Sequence, residues 1–159
     1  MKFLLLGNNN ILDINIAFLS GINPTYLDLS QNSIRYLDNS VFRKQGQLET
    51  LSLSENLLQS LESGIFSDCT NLQILSLSAN NISEISRAAF YGLAHLYLSN
   101  NSIVDFNPLV FEIFSISSFD PKLELLSMNV SSNRLDSLDD ASVMWLKDTT
   151  TVTDLLGNP

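Results

Sequence analysis

Cysteine is almost missing from this chain: Cys69 is the only one in 159 residues. That excludes an internal disulfide and a thiolate zinc site, and a small buried hydrophobe is the expected role of the residue. His95 is likewise the only histidine. Charged residues make up just 16% of the chain, and cations are the scarcer sign, with 8 Lys and Arg against 17 Asp and Glu for a formal charge of -9. Such a surface repels phosphate backbones, so nucleic acid is not expected as a partner; the charge serves solubility or a preference for basic ligands. No apolar run approaches a membrane span, and Phe3-Leu4-Leu5-Leu6 is too short for the core of a signal peptide. No Gly-rich phosphate loop and no nucleophile elbow is present. Carboxylates are many, but none sits in an apolar setting that would raise its pKa. The paired acids Asp139-Asp140 lack the regular ligand spacing of a calcium loop. An enzyme is not expected, nor a metal or a cofactor.

What the chain does have is a period. The pattern L-x-x-L-x-L-x-x-N-x-[LI] returns every 23 to 24 residues, most cleanly at Leu48, Leu51, Leu53, Asn56, Leu58 and again at Leu72, Leu75, Leu77, Asn80, Ile82. Short apolar triads at such a period describe a solenoid whose turns bury their apolar edges against their neighbours. Taking the first leucine as position 1, turns begin near Met1, Pro24, Leu48, Leu72, Leu93 and Leu125, with a partial turn from Thr150, so residues 1–159 read as one repeat domain. Position 9 is then Asn9, Asn32, Asn56, Asn80, Asn101, Asn133 and Asn158, and position 19 is Phe42, Phe66, Phe90 and Phe111 in the central turns.

Each position has a physical role. Leucines at 4 and 6 share one side of a short extended segment, the period-2 mark of a strand. Asn at 9 can bond the backbone of the turn that follows, which Leu cannot. Repeated, it makes a ladder that satisfies otherwise orphaned groups. Apolar 11 and 14 continue the core, and Phe at 19 fills the outer side. Between positions 14 and 22 there is room only for loops and short helical turns, with helical spacing best over 39–44 and 86–93. Two turns are irregular. The step from Leu72 to Leu93 is 21 residues, and that from Leu93 to Leu125 is 32, with 115–122 as an inserted loop.

On these motifs the chain resembles the leucine-rich repeat family, in its 24-residue variety found in Toll-like receptor and insect adhesion ectodomains. The resemblance implies an α/β solenoid: a right-handed horseshoe with a parallel sheet on the concave face and loops or short helical turns on the convex side. It also implies a non-catalytic protein-binding module of an extracellular or cell-surface receptor or adhesion protein. An intracellular scaffold in the cytoplasm, or a fragment with no function of its own, is the alternative. The motif shows no recognisable cap, so the apolar ends are expected to favour self-association. The sequons at Asn81, Asn100 and Asn129 are the acceptors expected for glycosylation.

Side chains at positions 3, 5, 7 and 8 should leave the core for the concave surface. Aromatic and mixed polar groups are favoured at protein contacts, which marks Tyr26, Asp28, Glu49, Thr50, Glu55, Ile74, His95 and Tyr97 as ligand-binding residues. Asp13, Glu84 and Asp105 share position 13, and Asp38, Glu62 and Asp139 share position 15. The negative charge is therefore expected mainly behind the sheet.

Overall fold

The computed structural model describes residues 2–15, 17–90, 93–108 and 125–159. Phe111 and the inserted loop at 115–122 lie outside the described residues. Among the described residues seven strands form one parallel sheet: β1 (Phe3–Leu5), β2 (Tyr26–Asp28), β3 (Thr50–Ser52), β5 (Ile74–Ser76), β7 (His95–Tyr97), β8 (Leu125–Asn129) and β9 (Thr150–Asp154), in that spatial order. A second, two-stranded parallel sheet pairs β4 (Ser60–Leu61) with β6 (Glu84–Ile85). The register never slips between the central repeats: Leu27 faces Leu51, Leu51 faces Leu75 and Leu75 faces Leu96. Slippage by one residue would turn these fully buried leucines out to solvent, so burial fixes the register.

The strands are short, but their parallel ladder does not stop where they end. Leu29 N–H donates to Ser52 O at 2.9 Å, Gln31 N–H to Ser54 O at 2.9 Å and Asn32 N–H to Glu55 O at 3.2 Å. The turn after each strand is thus stacked repeat upon repeat as tightly as the strand itself. To make that turn, position 8 adopts left-handed backbone every time: Asn8, Gln31, Glu55, Ala79, Asn100 and Ser132 have φ of 52 to 55°. Only in the last turn does glycine, Gly157, take the place that suits it.

Behind the sheet the leucines of positions 1, 4, 6, 11 and 14 form a continuous core. Its outer side holds Phe42, Phe66 and Phe90, all buried, with the first two rings 5.4 Å apart. The stretches 39–44 and 86–93 form turns rather than α-helix among their described residues. Bonds such as Val41 N–H to Asp38 O and Gln45 N–H to Phe42 O close after three residues and are not propagated.

Among the described residues the one α-helix, α1 (Asp140–Thr149), lies instead on the convex side of the sixth turn. Asp139 is its N-cap and accepts from Ser142 N–H at 2.7 Å, satisfying an amide that a helix start leaves free. Asp140 in the first turn and Lys147 in the last suit the helix dipole. The paired acids are a helix start. Leu146 is buried, and Trp145 meets Phe106 at 5.8 Å; Val143, at position 19, is half-buried.

Candidate binding face

Asparagine at position 9 fixes the rim of the sheet, and its bonds run in one direction. Asn56 Nδ2 donates to Leu53 O and Ser54 O in its own turn and to Leu29 O of the preceding turn, at 2.9 to 3.2 Å. Its Oδ1 accepts from Ile34 N–H, also in the preceding turn, at 3.0 Å. Asn32, Asn80, Asn101 and Asn133 repeat both reaches, and Asn158 does so from the last turn, to Val130 O and Leu135 N–H. Asn9, in the first turn, bonds Leu6 O and Gly7 O. From Asn32 to Asn133 these side chains are buried, so each bond replaces one that water cannot supply.

On that frame the register sets out two rows of side chains facing away from the core. One runs Phe3, Tyr26, Thr50, Ile74, His95, Ser127 and Val152; the other runs Leu5, Asp28, Ser52, Ser76, Tyr97, Asn129 and Asp154. Six of the eight residues singled out from the sequence stand in these rows, neighbours about 4.8 Å apart across a sheet. Glu49 lies just before β3 and Glu55 in the turn after it. Most row residues are half-exposed; Phe3, Leu5, Tyr97 and Val152 are the more exposed apolar members.

Hydrogen bonds orient several of them. His95 Nδ1 and Ser127 Oγ lie 2.7 Å apart. Asp28 Oδ1 accepts from Ser30 N–H at 2.9 Å and from its hydroxyl at 2.6 Å, and Asn129 Oδ1 holds Ser131 in the same way. Gln31 Nε2 donates to Glu55 at 3.1 Å, and Ser54 and Ser76 hydroxyls meet at 2.6 Å. Phe3 and Tyr26 rings sit 5.8 Å apart at one end. Ser127 and Asp154 were not singled out from the sequence. Their signal was position alone, third in the sixth turn and fifth in the last, because neither residue type stands out without its neighbours.

Other titratable groups lie off this face. Burial, and then the neighbouring Asp68 carboxylate, pushes the Cys69 thiol up to about 12, which makes it unreactive. On the flank, the Glu62 carboxylate is the main cause raising the Tyr36 phenol. Asp13, Asp38, Glu62, Glu84, Asp105 and Asp139 are all exposed there. The sheet side also carries charge: Asp28, Glu49, Glu55 and Asp154 belong to it, with Lys2. Among the described residues no group of three or more His, Cys, Asp or Glu is placed to hold a metal ion. No described helix is long and apolar enough to cross a membrane. Of the sequons, Asn81 and Asn100 are exposed, whereas Asn129 is half-buried and donates to Asp154.

The leucine rich repeat family profile matches residues 46–103. Among solved structures, the chain superposes on one from a TLR13–ssRNA13 complex with a TM-score of 0.82 and 24% identity, over 98% of this chain and 21% of that one. The APL1 leucine-rich repeat domain gives 0.70 and 30% identity, over 86% and 34%. Toll, from the Drosophila Toll–Spatzle complex in its glycosylated form, gives 0.69 and 30%, over 84% and 19%. No curated protein matches by sequence. With its repeat of about 24 residues, its stacked parallel strands and these likenesses, the chain belongs to the leucine-rich repeat family. It spans only a fifth to a third of the length of the solved chains it resembles.

One expectation is corrected by this comparison. The acidic balance argued against nucleic acid, but the same solenoid occurs in a complex with single-stranded RNA. A summed charge describes the whole surface. Single strands are also read through base stacking and base-edge hydrogen bonds, which repulsion from the backbone does not cancel.

Proposed function

We propose that this chain is a stretch of the ectodomain of an extracellular or cell-surface receptor or adhesion protein, and that it binds a protein partner on its concave sheet without chemistry. Tyr26, Asp28, Glu49, Thr50, Glu55, Ile74, His95 and Tyr97 are the contact residues. The observation that carries this reading is the division of labour in the rows: the backbone ladder and the buried leucines hold the sheet. The row side chains are half-exposed or exposed. A rigid sheet presenting aromatic groups among small hydroxyls costs little ordering on association. Exposed Asn81, at position 10, is the sequon that can carry glycan without disturbing this face; Asn100 shares position 8 with Glu55 and lies on it.

The test is a screen of displayed secreted and cell-surface proteins against the full chain, followed by alanine variants at Tyr26, His95 and Tyr97. Each hit should lose about tenfold or more in affinity with at least one of these variants, the size expected of an interface anchor, while melting temperature is kept. Hits weakened by Arg35→Ala or Asp105→Ala, and indifferent to the three sheet variants, would place binding on the flank and remove the proposal.

A further inference from the structure

The concave side differs from the rest of the described surface in how its charges are compensated. Asp28, Glu49, Glu55 and Asp154 stand at strand positions 2 to 8, where Lys2 is the one described cation. Arg35, Arg43, Lys44, Arg87, Arg134 and Lys147 all fall at other positions of the repeat. Three of the acids come from adjacent strands: Asp28 ends β2, and Glu49 and Glu55 flank β3. Their hydrogen bonds come from neutral donors. Ser30 donates to Asp28, Gln31 to Glu55, and Asn129 with Leu156 N–H to Asp154. Such bonds orient a carboxylate and leave its charge in place. Tyr26 and Tyr97 in the two rows add aromatic faces, on which a guanidinium or ammonium group can lie.

We infer that the concave face takes a basic protein segment, whose Lys or Arg side chains meet Asp28, Glu49 and Glu55 and pack on Tyr26. The inference rests on the reading of this face as the binding surface and adds the chemistry of the partner. A rigid sheet on which acids outnumber cations attracts basic groups over a distance and rejects acidic segments. The flank also carries acids, but there Arg and Lys are interspersed with them.

The experiment uses the full chain, with a labelled decalysine peptide, a decaglutamate peptide and a single-stranded decauridine RNA as probes in fluorescence anisotropy. Two triple variants remove the same charge, taking the chain from -9 to -6: Asp28→Asn/Glu49→Gln/Glu55→Gln on the face, and Asp13→Asn/Glu62→Gln/Glu84→Gln on the flank. The fold should survive the first, since Asn129 already holds Ser131 as Asp28 holds Ser30. Decalysine should bind, decaglutamate should not, and binding should fall as salt rises. The face triple should weaken it about tenfold and the flank triple less than about threefold, since close charges dominate screened attraction. Equal losses in both triples, or tighter binding of decauridine than of decalysine, would overturn the inference. Either outcome leaves the concave-face reading to the alanine variants of the displayed screen, so the two can fail separately.

Discussion

The inner sheet and the convex side of this solenoid are built by opposite rules. On the inside the turns repeat the same backbone: strands in register, left-handed position 8 and, from the second turn on, an asparagine reaching to the turn before. On the outside the turns do not all match. The third and fourth are left-handed at Gly64 and Ala88 and bury Phe66 and Phe90, the second is left-handed at Lys44 instead, and the sixth carries a ten-residue helix with Trp145. Hydrogen bonds are directional and admit one spacing, whereas apolar packing asks only that volume be filled. The side proposed to present ligand contacts is therefore the side whose backbone cannot vary, and variety there is confined to side chains.

That contrast can be broken or sharpened by substitution. The largest effect should come from the packed side: Phe66→Ala should cost about 3–5 kcal/mol in denaturant titration, as for other buried aromatics. A loss under about 1 kcal/mol would show that the convex core tolerates a missing ring. Next, Asn56→Ala should cost roughly 1–3 kcal/mol, because Ile34 N–H and the Leu29 and Leu53 carbonyls lose a buried partner. Asn9→Ala, at an exposed position, should stay within about 0.5 kcal/mol. Equal costs at the two sites would mean that the reach between turns contributes nothing.

Smaller still is the expected effect of Asp139→Ala, which should raise amide exchange in α1 while leaving the sheet protected. Its carboxyl is held below the ordinary value by bonds from Ser142. The cap's contribution is thus complete above the unfolded carboxylate range and disappears as pH falls through the lowered folded value. Protection of α1 in the unmodified chain, taken relative to the intrinsic exchange rate at each pH, should fall in that acidic window alone. Protection of α1 that is unchanged by acid would exclude the cap. Smallest is Ala79→Gly. Left-handed backbone disfavours Ala by about 1–2 kcal/mol, and the greater freedom of unfolded glycine offsets part of this, about 0.5–1 kcal/mol. A gain of up to roughly 1 kcal/mol is expected, and a clear loss would show that the turn at position 8 carries no strain.

Much of the architecture was legible because a repeat tests each position several times over. Leucine at 4 and 6 and asparagine at 9 recur because few residues fill the interior of a turn or both donate and accept there. The left-handed turn was not legible: Gln, Glu, Ala and Ser at position 8 do not favour it, and only Asn8, Asn100 and Gly157 hint at it. Nor was α1 read from Asp139-Asp140, because its N-cap signal lies at repeat positions that form turns in the other coils. The face itself was placed by counting, which marks Asp28, Glu49 and Glu55. Acids at positions 13 and 15 form visible columns, whereas Asp154, in the partial last turn, joins the face only when β9 pairs with β8.

The backward reach of asparagine also gives the molecule a direction in time. A ribosome delivers these coils from the N-terminus, and a coil whose successor has not yet emerged lacks the amide group that will grip its carbonyl at position 6 and its N–H at position 11. Each coil is latched by the one that follows, so consolidation trails synthesis by a repeat. The longest wait falls where Asn133 must reach back to Leu98 and Ile103 across the 32 residues separating Leu93 from Leu125.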